Sequence, residues 1–564
     1  MTRWLGDEEL RIGLGCMRIE PAAMGPTVAA ALAVGITVFD TAHAYGERPG
    51  DNERLLAQAL RGTRARVVTK GGMTGAGTTW IPDGRAVTIR RHCEASLAAL
   101  DGVGIDLYLL HAPDPKVPWL TSVRALARLL EDGLVPRVGL SNVNRGQLDA
   151  ALSLLPVCAV QVALSPFDDD ALRGGVVRRC EERGITVLAH SPLGGPRRVR
   201  RAEAQKSLTW VLSRSPAVVA IPGARSPEAV RSAVAALELE PPAEPAESPP
   251  ATSGAEVLLV MGIPGAGKSR LTAGLEGYER LNRDDRGGSL AALAQELDRR
   301  LAEGAERLVL DNTYLTRASR NPVVETSARH GARARCVWLD TPLDQAQVNL
   351  VLRQLALFGR LPEPKELRVL AKRHPGLMAP TSQLRAVREL EPPADDEGFA
   401  AVERVLFYRG LATGRPGVFV AADAVPGFRV QDPSVPHLVF GWQVPGEVTL
   451  PGAVVASCPH PGGPPACWCR PPLPGLVLAF CHDHGVDPAR SVLVGTTSRH
   501  RTLAAALGAR FAGLAIGATD LRRQSGRVVG DERGGGGVSG GESSPGRPWS
   551  TPSRPSARQG CRGS

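Results

Sequence analysis

The chain is predicted to be an α/β protein built from several modules, and three observations point that way. Its 564 residues exceed what one hydrophobic core usually serves, and 43% of them are hydrophobic, enough for more than one core. Short β-branched runs alternate with amphipathic stretches, and this alternation starts afresh three times along the chain. The restarts coincide with changes of composition, the clearest being the proline-rich "ELEPPAEPAESPPATSG" at 238–254. These breaks divide the chain into residues 1–240, a linker at 241–254, a second module at 255–412, a third at 413–521 and a tail at 522–564.

In the first module the strand candidates are "ITVFD", "RVVTK", "IDLYLLH", "RVGLS", "AVQVAL", "ITVLAHS" and "VVAIPG". Helical patterns such as "IRRHCEASLAALDG" and "VRALARLLEDG" lie between them, so a parallel sheet, closed as a barrel or open, is expected. "FDTAHAYG" sets Asp40 and Tyr45 just after a strand, Lys70 ends "RVVTK", and His111 ends "IDLYLLH". Residues at the C-terminal ends of successive strands converge at one mouth. A tyrosine with a pKa of about 10 is a weak acid at neutral pH; a lysine cation beside it lowers that value, and an aspartate holds the lysine. A histidine there can orient a carbonyl oxygen.

With these residues in this order, the module resembles the aldo-keto reductase family over nearly all of residues 10–240, including "IGLGCMR", "VGLSNVN", "VQVALSPF", "AHSPLGG" and "AIPGARSPEAVRSAVAAL". The resemblance implies a (β/α)8 TIM barrel that reduces a small carbonyl substrate with NADP(H). It makes Tyr45 the proton donor, Lys70 and Asp40 its tuning pair and His111 the orienting group. It assigns Ser141, Asn142 and Gln161 to the nicotinamide amide, and Ser191, Pro192, Leu193, Gly223 and Arg225 to the rest of the cofactor. Gly223-Ala224 stands where the family carries Lys-Ser, and the stretch between "SPLGG" and "AIPGA" is shorter than the family's.

The second module opens with "EVLLVMGIPGAGKSRL", an apolar strand, a glycine-rich turn and a helix start. Gly262, Gly265 and Gly267 let the backbone N–H groups wrap a phosphate. Lys268 reaches the β- and γ-phosphates of ATP, and Ser269 holds Mg2+. Downstream come "LNRDDRGG", "RLVLDNTYL" and "CVWLDTPLDQAQVNLVLRQ". Together they resemble the kinase module of end-healing polynucleotide kinases over about residues 256–355. The resemblance makes Asp284 the general base, Asp311 a second acidic position at the metal and Arg353 a lid cation, acting on 5′-hydroxyl ends of RNA or DNA. Asn349 occupies the place of one lid arginine. The stretch 374–409 is read as a helical extension that closes the module.

In the third module "SCPHPGGPPACWCRPP" brings Cys458, His460, Cys467 and Cys469 together, a ligand set suited to structural Zn2+. The segment resembles the zinc loop of haloacid-dehalogenase-type phosphatases acting on sugar and histidinol phosphates, implying a Rossmann-like sheet. The family's nucleophilic aspartate is Ala421 here, with Asp423 kept, and Thr496 and His500 replace its later acids, so an inactive domain is expected.

The net charge of +10 admits nucleic acid as a partner, but eight arginines against Asp531, Glu532 and Glu542 put half of it in the tail. That tail holds little to bury and is expected to be disordered. The cysteines make no disulfide framework, "MTRWLGDEELRIGLG" has no apolar leader, and no apolar run is long enough to span a membrane. A soluble cytoplasmic protein is therefore expected. Two other readings share these residues: a kinase for a small polyol beside a reductase in carbohydrate or aldehyde metabolism, and a barrel that senses nicotinamide and regulates the kinase.

Overall fold

The computed structural model describes residues 4–6, 8–74, 80–195, 203–241, 254–374, 376–409 and 413–514, without the side chain of Asp284. Most of the linker and the whole tail at 522–564 lie outside the described residues, as do 515–521 at the end of the third module.

The first module closes on itself. Eight parallel strands follow one another round a barrel: β1 (Leu14–Gly15), β2 (Val38–Asp40), β3 (Arg66–Gly71), β4 (Leu107–Leu110), β5 (Val138–Ser141), β6 (Val157–Ala163), β7 (Thr186–His190) and β8 (Val218–Ile221). Closure comes from the chain just before β1, where the Gly13 N–H donates to Ala220 O at 2.8 Å and the Ala220 N–H to Arg11 O at 3.0 Å. The period of two decides what each strand residue touches. Val38, Val68, Leu107, Leu109, Ala159, Leu188 and Val219 point inward and form one cluster, with Trp4 and Leu5 packed against it. Phe39, Val67, Tyr108 and Leu110 point outward into the shell of helices. A Cβ on Gly139 would meet Ala159 O at 2.3 Å and Leu109 Cδ2 at 2.6 Å, so this strand position admits only glycine. The shortened stretch after "SPLGG" still supplies a helix, Ala204–Ser213, before β8.

The second module is a five-stranded parallel sheet in the order β10-β11-β9-β12-β13, with β9 (Glu256–Met261), β10 (Glu279–Leu281), β11 (Arg307–Asp311), β12 (Arg333–Asp340) and β13 (Ala401–Leu406). Here the sequence reading needs correction. The stretch 374–409 is not wholly helical: after the helix Pro380–Glu389 it returns as β13 and pairs with β12 along six residues. Cross-strand pairs fix it there, with Arg404 bonding Asp340 and lying 5.3 Å over the Trp338 ring.

The third module is also a five-stranded parallel sheet, ordered β16-β15-β14-β17-β18, with β14 (Val418–Ala421), β15 (His437–Trp442), β16 (Val454–Cys458), β17 (Val492–Gly495) and β18 (Arg510–Gly513). Its core reaches beyond the module. Val348, Leu350, Val351 and Leu355 of the long helix Leu343–Phe358 pack in the same cluster as Phe419, Val439 and Leu507. Among the described residues, no helix is long and apolar enough to cross a membrane.

Candidate functional site

The barrel mouth assembles around Lys70. Its side chain is 1% exposed, and a buried ammonium needs compensation. Nζ donates to Asp40 at 2.8–2.9 Å and to Thr41 O at 2.7 Å, and lies 3.4 Å from the Tyr45 hydroxyl. Burial alone would lower the lysine pKa; Asp40 and Tyr45 outweigh it, and the net direction is upward. For Tyr45 the expected sign is reversed. Burial raises its pKa more than the Lys70 cation lowers it, so the hydroxyl keeps its proton at neutral pH. His111 closes the group with its ring 5.7 Å from that of Tyr45. Burial pushes its pKa down to about 3, so the imidazole is neutral, and its buried Nδ1 has no hydrogen-bond partner among the described residues.

The remaining barrel candidates surround this group. Gln161 is buried and donates to Asp40 at 2.8 Å, so its Nε2 is engaged within the tetrad itself. The Asn142 amide donates to His111 O at 3.0 Å and to Ser141 Oγ at 3.2 Å, while its Oδ1 lies 3.0 Å from His190 Nε2. Asn142 (φ 57°) and Ser191 (φ 53°) both hold left-handed backbones directly after strands, strain of the kind that functional mouths store. Pro192 is buried and Leu193 half-buried; Gly223 and Arg225 are exposed ahead of the helix Pro227–Val234, which Ser226 caps.

In the second module the turn after β9 has its carbonyl side fully engaged. Lys268 Nζ donates to Gly262 O at 2.9 Å and Ile263 O at 3.2 Å. Gln383 donates to Pro264 O, Asn349 to Gly265 O and Thr341 to Ala266 O, all within 3.0 Å. Gly262, Gly265 and Gly267 all have positive φ. A Cβ on Gly265 would strike Ala346 O at 2.4 Å, whereas one on Gly267 would meet nothing within 4 Å. A loop with its carbonyls turned inward and open space beside Gly267 is shaped for an anion. Ser269 is exposed at the helix start. Asp311 is buried, and its Oδ2 accepts from Arg280 at 2.6 Å and Thr272 at 3.0 Å. Asp284 lies in the one-turn helix Arg283–Arg286, its side chain outside the described residues. Arg353 is exposed and donates to Gly376 O at 3.3 Å, so the structure ties it to that loop and not to the glycine-rich turn.

In the third module Cys458, His460, Cys467 and Cys469 place their ligand atoms within 4.8 Å of one another. Cys458 Sγ lies 3.7 Å from Cys467 Sγ and 3.4 Å from Cys469 Sγ, and His460 Nδ1 lies 3.5 and 3.2 Å from the sulfurs of Cys458 and Cys469. A tetrahedral Zn2+ with Zn–S of about 2.3 Å and Zn–N of about 2.0–2.1 Å needs ligand separations close to these. Ala421 ends β14, and beyond it Asp423 accepts from the Thr496 hydroxyl.

Residues 11–207 match the model of the aldo/keto reductase family. An aldo/keto reductase domain is present. Residues 257–360 match an AAA domain, so a P-loop module of that type follows it. The aldo-keto reductase str7 of Strobilurus tenacellus is 34% identical over 215 residues, which are 34% of this chain and 61% of the relative. The probable aldo-keto reductase 1 of Glycine max is 34% identical over 204 residues, 34% of this chain and 57% of the relative. The chain thus spans less than two thirds of either. A solved aldo-keto reductase from Klebsiella pneumoniae in complex with NADPH is 28% identical, covering 42% of this chain and 89% of that one, with a TM-score of 0.35.

The aldo/keto reductase domain holds two mouth residues that the sequence reading passed over. Trp80 is carried by a hairpin pairing Met73–Thr74 with Ile81–Pro82, and lies 5.7 Å from the Tyr45 ring and 6.0 Å from that of His111. His190 ends β7, and the strand-end rule that singled out His111 applies to it equally. In the AAA-type module, Thr341 and Gln383 were missed for want of any local signal, since the loop oxygens they hold lie 75 and 119 residues away in sequence.

Proposed function

We propose that the chain couples an NADP(H)-dependent carbonyl reductase to an ATP-dependent kinase that phosphorylates 5′-hydroxyl ends of RNA or DNA. The observation carrying the first half is the buried Asp40–Lys70–Tyr45 chain, with Tyr45 still protonated. Bound NADPH supplies the hydride. Tyr45 delivers its proton to the carbonyl oxygen, and the Lys70 ammonium 3.4 Å away stabilises the phenolate that remains. Asp40 keeps Lys70 charged throughout. Neutral His111 donates a hydrogen bond to the same oxygen without competing for the proton, and Trp80 walls the site on its open side. The left-handed Asn142 and Ser191 and the exposed Gly223 and Arg225 fit the nicotinamide and phosphate ends of the cofactor.

The second half rests on the glycine-rich turn. Its N–H side suits the phosphates of ATP, and Lys268, now on the loop carbonyls, would hold the β- and γ-phosphates. Ser269 and Asp311 would hold Mg2+, which would offset charge on those phosphates. Asp284, in the helix after β10, would take the acceptor proton. The "NRDD" stretch favours a polynucleotide acceptor over a polyol. The Cys3His cluster suits a structural Zn2+, and the third module, with Ala421 where a nucleophile would stand, is a phosphatase-like domain without phosphatase activity.

Two assays test this. NADPH consumption with simple aldehydes is expected from the wild type and not from Tyr45→Phe or Lys70→Met; no consumption by the wild type, with NADPH bound, would make the barrel a sensor. Transfer of labelled γ-phosphate to 5′-hydroxyl oligonucleotides is expected to vanish in Lys268→Ala and Asp284→Asn. Transfer to polyols but not to oligonucleotides would replace the acceptor assignment.

A further inference from the structure

The ring nitrogen of His460 that faces away from the cysteine cluster lies 2.8 Å from a carboxylate oxygen of Glu363, in the segment that follows the residues matching the AAA domain. Glu363 is the N-cap of the helix Pro364–Leu370. Metal-bound histidines commonly donate their second N–H to a carboxylate, which fixes the ring and strengthens the ligand. That partner here comes from 97 residues away in sequence, from a segment whose Leu367 and Leu377 pack in the core of the third module.

A second contact reinforces the first. Trp468, between two of the cysteines and only 2% exposed, donates its indole N–H to Met378 O at 2.8 Å. Leu361 packs where a Cβ on Gly475 would meet its Cδ1 at 2.8 Å. The cysteine loop and the helix after it therefore hold residues 361–374 and 376–378 at both ends. Those residues hold Arg353 in turn through Gly376 O, and Gln383 in the next helix supports Pro264 O of the glycine-rich turn.

We propose that the Cys458–His460–Cys467–Cys469 site is a zinc clasp on the segment leading from the helix Leu343–Phe358 to the helix Pro380–Glu389, with Glu363 as its outer-sphere partner, so that metal occupancy orders the helix Pro364–Leu370 and its flanks. The proposal rests on the zinc reading given above. Loss of the ion frees the cysteine loop, releases Trp468 and Glu363, and loosens the segment that positions Arg353.

The test uses the full chain. Zinc content is measured by atomic emission, zinc affinity by competition with a chromogenic chelator, and backbone hydrogen exchange is followed over residues 361–374. One zinc per chain is expected in the wild type and none in Cys469→Ser. Glu363→Gln is expected to keep one zinc but bind it about 10–100-fold more weakly. Stripping zinc from the wild type is expected to speed exchange over 361–374 while the barrel strands stay protected, which separates local release from unfolding. Wild-type zinc affinity in Glu363→Gln, or unchanged exchange after stripping, overturns the clasp and leaves the zinc site standing. A wild type that carries no zinc overturns both.

Discussion

At the scale of single residues, the barrel mouth depends on charge compensation in a site that excludes water. Asp40→Asn would leave the Lys70 ammonium without its counter-charge at 1% exposure. Breaking such a buried pair from one side costs about 3–5 kcal/mol, to be read as a lower urea midpoint for the barrel together with loss of aldehyde reduction. The histidines make a second prediction. Burial holds His92 near 4, His111 near 3 and His190 near 4, against an ordinary value of 6.5. Between pH 6.5 and about 4 the unfolded chain takes up protons that the folded barrel refuses, so stability falls as pH falls through that window. Each histidine adds a slope of at most about 1.4 kcal/mol per pH unit. Urea unfolding at pH 7.5 and 5 checks this, and His92→Gln should flatten the difference. The glycine-rich turn gives a third. Gly265→Ala meets both a left-handed backbone and the Ala346 carbonyl, whereas Gly267→Ala meets only the former. The second should cost about 1–2 kcal/mol and the first clearly more, measured by unfolding of the AAA-type module. Much of this was legible in sequence: Asp40, Tyr45, Lys70 and His111 announce themselves because they end neighbouring strands. Trp80 was hidden because its place depends on a hairpin of two-residue strands, too short to leave a periodic trace.

Among the elements, the helix Leu343–Phe358 carries most responsibility. One face meets the glycine-rich turn, where Ala346 approaches Gly265 and Asn349 holds its carbonyl. The other is core of the third module. Arg409 donates to Gln345 at 2.9 Å and to Asn349 at 3.1 Å, and Gln345 in turn donates to Ala506 O of the third module at 2.9 Å. This explains the asparagine found where an arginine was expected, since a cation there would repel Arg409 and release Gly265 O. Leu355→Ala is expected to cost about 2–5 kcal/mol and to destabilise both C-terminal modules in one transition by calorimetry. Two separate transitions would refute the shared core. Sequence patterning showed this helix but not its two-sidedness, because the second partner lies beyond residue 412. It misread β13 for a related reason: "AVERVL" is an edge strand paired on one side only, so its alternation is weak.

For the whole molecule, one carboxylate gathers the charges where the barrel meets the second module. Asp396 meets Arg145 at 2.5 Å and Arg178 at 3.5 Å from the barrel, and Arg317 at 2.7 Å from its own module. Nearby, Arg173 donates to Ala318 O at 2.8 Å. Asp396→Ala would leave three guanidinium groups facing one another. The expected result is a looser pair of modules with a larger radius of gyration by solution scattering, most marked at low salt, and reductase activity intact.

The two-sided helix also bears on how such a chain can be shortened. A gene cut after residue 412 would not yield a simpler two-module protein. It would put Val351 and Leu355, now almost without exposure, into water along a 16-residue helix that cannot turn them elsewhere. Once that helix had taken the third module as its neighbour, the arrangement worked as a ratchet. The loops of the third module can change freely, but the module itself cannot be removed without exposing that helix.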